Sequence, residues 1–274
     1  MDTMYRFLMI VSLGMVISSA NQVYSDTLYY DHSSWRPYVH YFHMINETNN
    51  NGWHDAESIK ATNEDTDQNF RVFCVDYFTQ TSEDFRDPLI GQEYDAVALD
   101  SPSMTLYTQA QKDALNSFFS HVYSTIYDVN GNIIDDANAY FYQLVVWEIV
   151  HETSGELNIA DGAFGIDNAA KYPDPNNRKD AVYDHDYYNA TVGIVNSWLN
   201  AITGTITWDS LGFDTITDHN LTIYVAEGGI DVSQTLISVV SPITPEPATM
   251  LIFGIGIAAL PWLRRRIRKN VIHS

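Results

Sequence analysis

Basic residues are scarce in this chain of 274 residues, and their scarcity excludes several kinds of partner. Lys and Arg number 14 against 35 Asp and Glu, so the formal net charge is −21 at pH 7. A polyanion repels nucleic acid and anionic lipid headgroups, so we expect neither as a partner of the folded region. Aromatic residues make up 13% of the chain, which favours a folded domain over a disordered acidic tail.

The amino end has the form of a targeting segment. Arg6 precedes the apolar run Phe7–Ile17, and small residues follow with plausible cleavage after Ala20 or Ser25. This pattern is typical of a secretory signal peptide, which is removed and takes no part in the fold. We therefore assign residues 1–25 to a signal peptide.

The carboxyl end contains a second apolar run with distinctive flanks. Pro245, Glu246 and Pro247 come first, the run Ala248–Leu263 follows, and a basic tail covers residues 264–270. Proline cannot donate to a helix or strand ladder, so this break ends the folded region. The run has sixteen residues, which is short beside the roughly 20 of a comfortable bilayer span. The Arg and Lys residues after it favour the cytoplasmic side of a membrane.

The order of these three parts resembles the PEP-CTERM signal that exosortases recognise in Gram-negative bacteria that make exopolysaccharide. The resemblance implies that residues 242–274 are a sorting segment and that residues 248–263 insert transiently into the inner membrane. We expect exosortase to process the chain near Pro245–Pro247, which leaves the protein at the cell surface or in the extracellular matrix. The alternative is an ordinary C-terminal membrane anchor.

Cysteine is almost absent, since Cys74 is the single one. One cysteine cannot form an internal disulfide, and an exported thiol is exposed to oxidation and cross-linking. Three explanations are open: a buried and inert side chain, a reactive thiol, or a sulfur already bonded to an atom other than sulfur.

The segment around Cys74 has the composition of a strand. β-Branched and aromatic residues dominate Phe70–Phe78, and polar, turn-prone runs lie on both sides. Towards the carboxyl end, three more runs are typical of strands: Thr205–Trp208, Leu221–Ala226 and Gln234–Val240. We therefore predict Cys74 on an inner strand, with strands at both ends of the folded region.

Three helices are predicted between these strands. Thr108 and Gln111 match a capping box before the first, whose apolar residues recur at helical spacing as far as Ile126. A second helix, apolar nearly all round and therefore buried, reaches His151, and a third covers about 190–203. Strands that flank a helical middle predict an α+β fold, with a β-sandwich or barrel-like subdomain and an inserted or packed helical subdomain.

Gln143 lies in the middle of the second helix, one turn before Trp147 and on the same face. A buried glutamine amide without hydrogen bonds is costly. Gln143 must therefore be hydrogen-bonded or be used in a reaction.

Two short motifs, Phe73–Val75 and Tyr142–Trp147, resemble those of bacterial thioester domains. These are TQxA-type surface adhesin modules that contain an internal Cys–Gln thioester. The resemblance implies that Cys74 is the thiol partner, that Gln143 is the acyl partner and that Trp147 packs beside the bond. Residues 26–241 would form this domain.

The resemblance implies an adhesion protein rather than an enzyme, with no catalytic residue and no cofactor. Apolar shielding by Trp147 and Tyr140 would protect the thioester by excluding water. An amine-bearing surface or matrix target would attack the Gln143 carbonyl and release Cys74, so that the target remains attached by an amide after a single turnover. The family often has Thr at the position of Tyr142 and usually has Ala at the position of Val145, and these departures bear on the target more than on the bond.

Two other functions are open at this point. A non-covalent protein that binds extracellular matrix or glycans would use aromatic side chains for stacking and keep Cys74 in its core. A cysteine-dependent enzyme would pair Cys74 with His151 or His185.

No metal site is predicted. His151-Glu152 begins like a zinc-protease helix, but Gly155 stands where the second histidine would be. The run Asp184–Asp186 has residue types that bind metal or act as acid and base, but three polar residues before a helix are more typical of a solvated N-terminal turn.

Overall fold

The computed structural model describes residues 24–30, 41–46, 52–56, 59–63, 68–76, 92–128, 133–134, 139–174, 177–183, 185–214, 219–227 and 234–240. The chain divides into two units, Met1–Val240 and Ser241–Ser274, and all described residues belong to the first. The sorting motif Pro245–Pro247, the apolar run 248–263 and the basic tail 264–270 lie outside the described residues. No helix in the described part of the chain is long and apolar enough to cross a membrane.

Ten strands and three helices make up the described fold. The strands are β1 Tyr24–Tyr30, β2 Tyr41–Asn46, β3 Gly52–Asp55, β4 Ile59–Asn63, β5 Gln68–Cys74, β6 Gln92–Ala98, β7 Phe164–Asp174, β8 Asn177–Tyr183, β9 Asn220–Ala226 and β10 Leu236–Val240. The helices are α1 Gln109–Ile126, α2 Ala139–His151 and α3 His185–Ile202. A 3₁₀ turn, Trp208–Leu211, follows α3.

Six of the strands close into an antiparallel barrel in the order β1, β4, β5, β10, β9, β6, which returns to β1. The remaining four form a separate sheet in the order β3, β2, β7, β8. The predicted α+β class is confirmed, with a barrel built from strands before Phe78 and after Gly204. Strand β6 and the separate sheet add to what the sequence predicted.

Successive side chains on a barrel strand point to opposite faces of the sheet, so the buried apolar residues fall into two clusters. Residues from all six strands fill the inside of the barrel, and we call this cluster the barrel core: Leu28, Ala61, Phe70, Val72, Cys74, Tyr94, Tyr224, Ala226 and Leu236. Their neighbours on β5 and beyond it, Phe73 and Val75, belong instead to the larger cluster that contains the helices. Cys74 therefore faces into the barrel, while its two neighbours face the helices.

The helices form where local sequence predicted them. Thr108 caps α1 through the expected box, accepting from the Gln111 backbone N–H while the Gln111 side chain accepts from Thr108 N–H. Helix α2 is buried on nearly every face. Helix α3 begins five residues before the predicted position, at His185.

One predicted strand is wrong, and one of the two candidate leader-cleavage points falls inside a strand. The predicted strand at Thr205–Trp208 is wrong, because Thr207 caps a 3₁₀ turn that ends at Gly212 with a positive φ of 80°. Strand β1 begins at Tyr24, so leader cleavage after Ala20 leaves that strand whole, whereas cleavage after Ser25 would shorten it.

Candidate functional site

Cys74 is the last residue of β5, and the described part of one neighbouring strand, β4, begins short of it. On one side β10 pairs with β5, so that Leu236 lies opposite Cys74. On the other side β4 begins at Ile59, opposite Val72, and does not extend to Cys74. The backbone groups of Cys74 on that side therefore need another hydrogen-bonding partner.

Gln143 supplies that partner from α2. Its Oε1 accepts the Cys74 backbone N–H at 2.8 Å, and its Nε2 donates to the Cys74 carbonyl oxygen at 2.6 Å. The side-chain amide thus continues the β-ladder in place of a strand. Gln143 is fully buried, and the paired bonds set which way its amide points. The structure therefore brings the two predicted thioester residues together.

The thiol of Cys74 points to a different glutamine. Its Sγ donates to Oε1 of Gln234 at 2.7 Å, and Gln234 Nε2 donates to the carbonyl oxygen of Asp76 at 3.1 Å. Beside this contact, Val75 N–H donates to the Thr235 carbonyl at 2.9 Å. Thus the Gln143 amide holds the backbone of Cys74, and the Gln234 amide holds its side chain.

Aromatic contacts hold α2 against β5 next to both residues. Phe73, just before Cys74, meets the ring of Tyr142, just before Gln143, edge to face with centroids 6.2 Å apart. Tyr142 also stacks on Trp198 of α3, 5.4 Å away, and its hydroxyl is hydrogen-bonded to Thr125 of α1 at 2.7 Å. The position where the resembling family often has Thr is therefore occupied here by a packing residue that ties three helices to the strand.

The two predicted shielding residues lie on either side of Gln143 along α2. Trp147 follows it by one turn and is 2% exposed. Tyr140 precedes it by three residues, and its hydroxyl is hydrogen-bonded to Tyr187 and Thr191 of α3. Burial raises the pKa of Tyr140, and these hydrogen bonds oppose the rise. Both side chains are therefore largely buried on the same helix as Gln143.

His151 contacts the residue after Cys74 rather than the thiol itself. Its Nε2 donates to the Val75 carbonyl at 2.8 Å. Burial lowers the pKa of His151, against the opposing effects of that hydrogen bond and of the nearby Asp76 carboxylate. His185, the other histidine considered as a partner for Cys74, begins α3.

Two carboxyl groups, Glu148 on α2 and Glu152 just after it, have pKa values shifted in opposite directions. Burial raises the pKa of Glu148 to about 8, although its Oε1 accepts the Asn158 N–H at 2.7 Å. Burial also acts on Glu152, but hydrogen bonds from Ser154, Phe164 and Ala163 outweigh it and lower the pKa of that carboxyl. These groups hold the loop after α2 by its backbone N–H groups.

The described residues include no group of three or more His, Cys, Asp or Glu side chains that could hold a metal ion. The residue that sequence reasoning missed is Gln234, which had been assigned to a strand without any role. No local pattern marks it, because only the pairing of β10 with β5 brings it to Cys74.

Comparison with protein families finds a PEP-CTERM protein-sorting motif at residues 244–269. The chain therefore carries the sorting signal expected from its sequence. This signal implies exosortase processing and an exported protein that passes through the membrane to the cell surface.

Among solved structures, the fold is similar to the N-terminal domain of the Streptococcus pyogenes pilus tip adhesin Cpa. The match has a TM-score of 0.40 and 13% sequence identity, and it covers 77% of this chain and 98% of that one. Comparison with curated proteins found no match.

Proposed function

We propose that Cys74 and Gln143 form an internal thioester and that this exported protein uses it for adhesion. The bond would capture an amine on a surface or matrix target in a single turnover, without a cofactor. The observation that supports this proposal is the pair of hydrogen bonds between the Gln143 amide and the Cys74 backbone, 2.8 and 2.6 Å long. They hold an electrophilic carbon beside the residue that carries the only thiol.

For the bond to form, Sγ must give up its hydrogen bond with Gln234 and approach Gln143 Cδ. Sγ is joined to the Cys74 backbone through Cα and Cβ, so rotation about χ1 is the motion that would present it to Gln143 Cδ. Sγ attacks Cδ, the C–N bond breaks, and the departing NH₂ takes up the thiol proton and leaves as ammonia. Holding the two groups in place makes this step unimolecular, which accelerates it by lowering the entropic part of the barrier.

The backbone N–H of Cys74 also suits this step. It lies 2.8 Å from Gln143 Oε1, the oxygen on which negative charge develops when sulfur adds to the carbonyl. A donor fixed at this distance in a buried site stabilises such an oxyanion. The Cys74 N–H, which β4 leaves without a strand partner, would therefore also stabilise the oxyanion in the reaction.

Capture of the target takes place at the same carbon, Gln143 Cδ, and replaces its C–S bond by a C–N bond. A target amine attacks the thioester carbonyl, the C–S bond breaks, and an amine proton passes to sulfur. Gln143 then carries a substituted amide, and Cys74 again carries a thiol. Trp147 and Tyr140, both buried, would slow the competing attack by water.

The mass of the intact, leader-free protein tests the bond directly. We expect a mass below that of the sequence by one ammonia, together with a Cys74 that resists alkylation until the bond is opened. Methylamine should restore a reactive thiol and leave an N-methylated amide on Gln143, which peptide mapping would locate.

Matched variants separate the bond from general effects of substitution. Cys74→Ser and Gln143→Glu keep the shape of each side chain, and each should abolish the mass deficit, as should alanine at either position. Trp147→Ala should still form the bond but hydrolyse it faster. Full sequence mass in freshly purified protein, with Gln143 unmodified and not hydrolysed, would refute the proposal, as would methylamine found on Gln234.

A second function is favoured by one observation. Cys74 is only 6% exposed and belongs to the barrel core, as an inert core cysteine would. In that case the protein would bind matrix or glycans without a covalent bond. It would then have full sequence mass and a thiol that reacts only when the domain unfolds.

A further inference from the structure

Gln234 is hydrogen-bonded to the sulfur of Cys74, and the proposed reaction does not use it. It lies two residues before β10, about half-buried, and its Oε1 accepts the Cys74 thiol hydrogen at 2.7 Å. Its Nε2 donates to Asp76 O at 3.1 Å, so the oxygen rather than the nitrogen faces the sulfur.

This arrangement gives the thiol hydrogen an acceptor other than Gln143. Cys74 Sγ belongs to the barrel core, whereas the Gln143 amide reaches the Cys74 backbone from α2. An acceptor bonded to the thiol hydrogen stabilises the protonated form relative to the thiolate. Because the thiolate is the nucleophile, the same contact reduces both the supply of nucleophile and its access to Gln143 Cδ.

We propose that Gln234 is a positioning residue that holds the Cys74 thiol in the barrel and so keeps a captured amine attached. The inference rests on the proposed function. After capture, a thiol stands beside the new amide on Gln143. Attack by that thiol would break the C–N bond, return the proton to the amine and release the target. The high effective concentration that assists thioester formation would assist this reversal equally.

The first test measures the thiol alone, in proteins that all carry Gln143→Glu and therefore cannot lose ammonia to form the bond. The rate of Cys74 alkylation is followed against pH in this background and after adding Gln234→Ala or Gln234→Glu. Loss of the acceptor should raise the rate about fivefold and lower the pH of half-maximal rate, as expected for one ordinary hydrogen bond. The carboxylate keeps an acceptor and adds negative charge, so it should slow alkylation below that of the parent.

If Gln234 only supported the local structure, both substitutions would damage that structure and speed alkylation. Faster alkylation in Gln234→Ala with slower alkylation in Gln234→Glu therefore distinguishes positioning of the thiol from a structural role. Gln92→Ala is the matched control. It removes a buried glutamine of β6, whose Nε2 donates to Glu93 O at 3.0 Å. Equal rates in all proteins, or faster rates for both Gln234 variants, would overturn the proposal.

The second test uses the native Gln143 and measures reversal. Protein loaded with methylamine is transferred to amine-free buffer, and loss of the N-methylated amide with return of the mass deficit is followed by intact mass. Gln234→Ala should lose methylamine about fivefold faster than the native protein. Equal rates would overturn the proposal. If no protein ever shows a mass deficit, the proposed function fails, and the alkylation rates still decide whether Gln234 positions the thiol.

Discussion

Glu148 provides the sharpest test of the packing around α2, because its carboxyl group is buried without an ionic partner among the described residues. Its side chain is fully buried, its Oε1 accepts the Asn158 N–H at 2.7 Å, and its Oε2 has no hydrogen bond to a described residue. Burial raises the pKa of Glu148 from 4.5 to about 8, and the nearby Glu152 carboxylate adds to the rise. The folded protein therefore keeps a proton that the unfolded chain loses.

The sign and size of the effect on stability follow from this difference. Between about pH 5.5 and about pH 7.5, the unfolded state binds fewer protons than the folded state, so the free energy of unfolding falls as pH rises. The slope is about 1.4 kcal/mol per pH unit, or about 3 kcal/mol over that interval. Well below pH 4.5 the proton is bound in both states and the stabilisation is complete. Well above pH 8 the loss is complete and the curve is flat again.

Glu148→Gln removes the titration while keeping an oxygen that can accept the Asn158 N–H. We expect the free energy of unfolding of this variant, measured by urea titration of the leader-free protein, to exceed that of the native protein increasingly as pH rises. The gap should widen by about 3 kcal/mol across the same interval. Glu156→Gln, at an exposed position on the loop after α2, controls for the loss of one negative charge. Parallel curves for the native protein and Glu148→Gln would refute the reasoning.

Two further predictions concern the loop after α2 and the sorting segment. Gly162→Ala should lower the free energy of unfolding by about 3 kcal/mol or more, since φ is +136° and an added Cβ would overlap Glu152 Oε2. Gly155→Ala, with φ of +85° and no described atom within 4 Å of the added Cβ, should cost only about 1 kcal/mol. Similar losses in urea titrations of the two variants would contradict this account of Gly162. Protein recovered from cells should lack residues 264–274 by mass spectrometry, and a retained basic tail would indicate a plain membrane anchor instead.

The helices could be predicted because their determinants are local. The capping box of Thr108 and Gln111 lies within four residues, and both halves are formed in the structure. The apolar composition of α2 predicted burial on all faces, and the helix is buried in that way. Helix hydrogen bonds join residues four apart, so a short window of sequence contains most of the information.

The strands were harder to predict because their pairing is not local. Strands β7 and β8 are rich in polar residues and gave no clear alternating pattern, yet they pair with each other and, through β7, with β2. The run Thr205–Trp208 has strand-forming residues, but glycines at 204 and 212 with positive φ turn the chain before and after it. Composition alone does not show whether a partner strand is within reach.

The sequence by itself determined that this protein is exported and sorted, that Cys74 lies on a strand and that Gln143 lies in a buried helix. Each of these conclusions depends on residues close together in the chain. Only the tertiary structure decided that the Gln143 amide binds the Cys74 backbone while the Cys74 thiol binds Gln234, which is 160 residues away. The reason is register: in a strand, side chains alternate between faces, so the face on which Cys74 lies and the residue that meets it depend on how β10 pairs with β5.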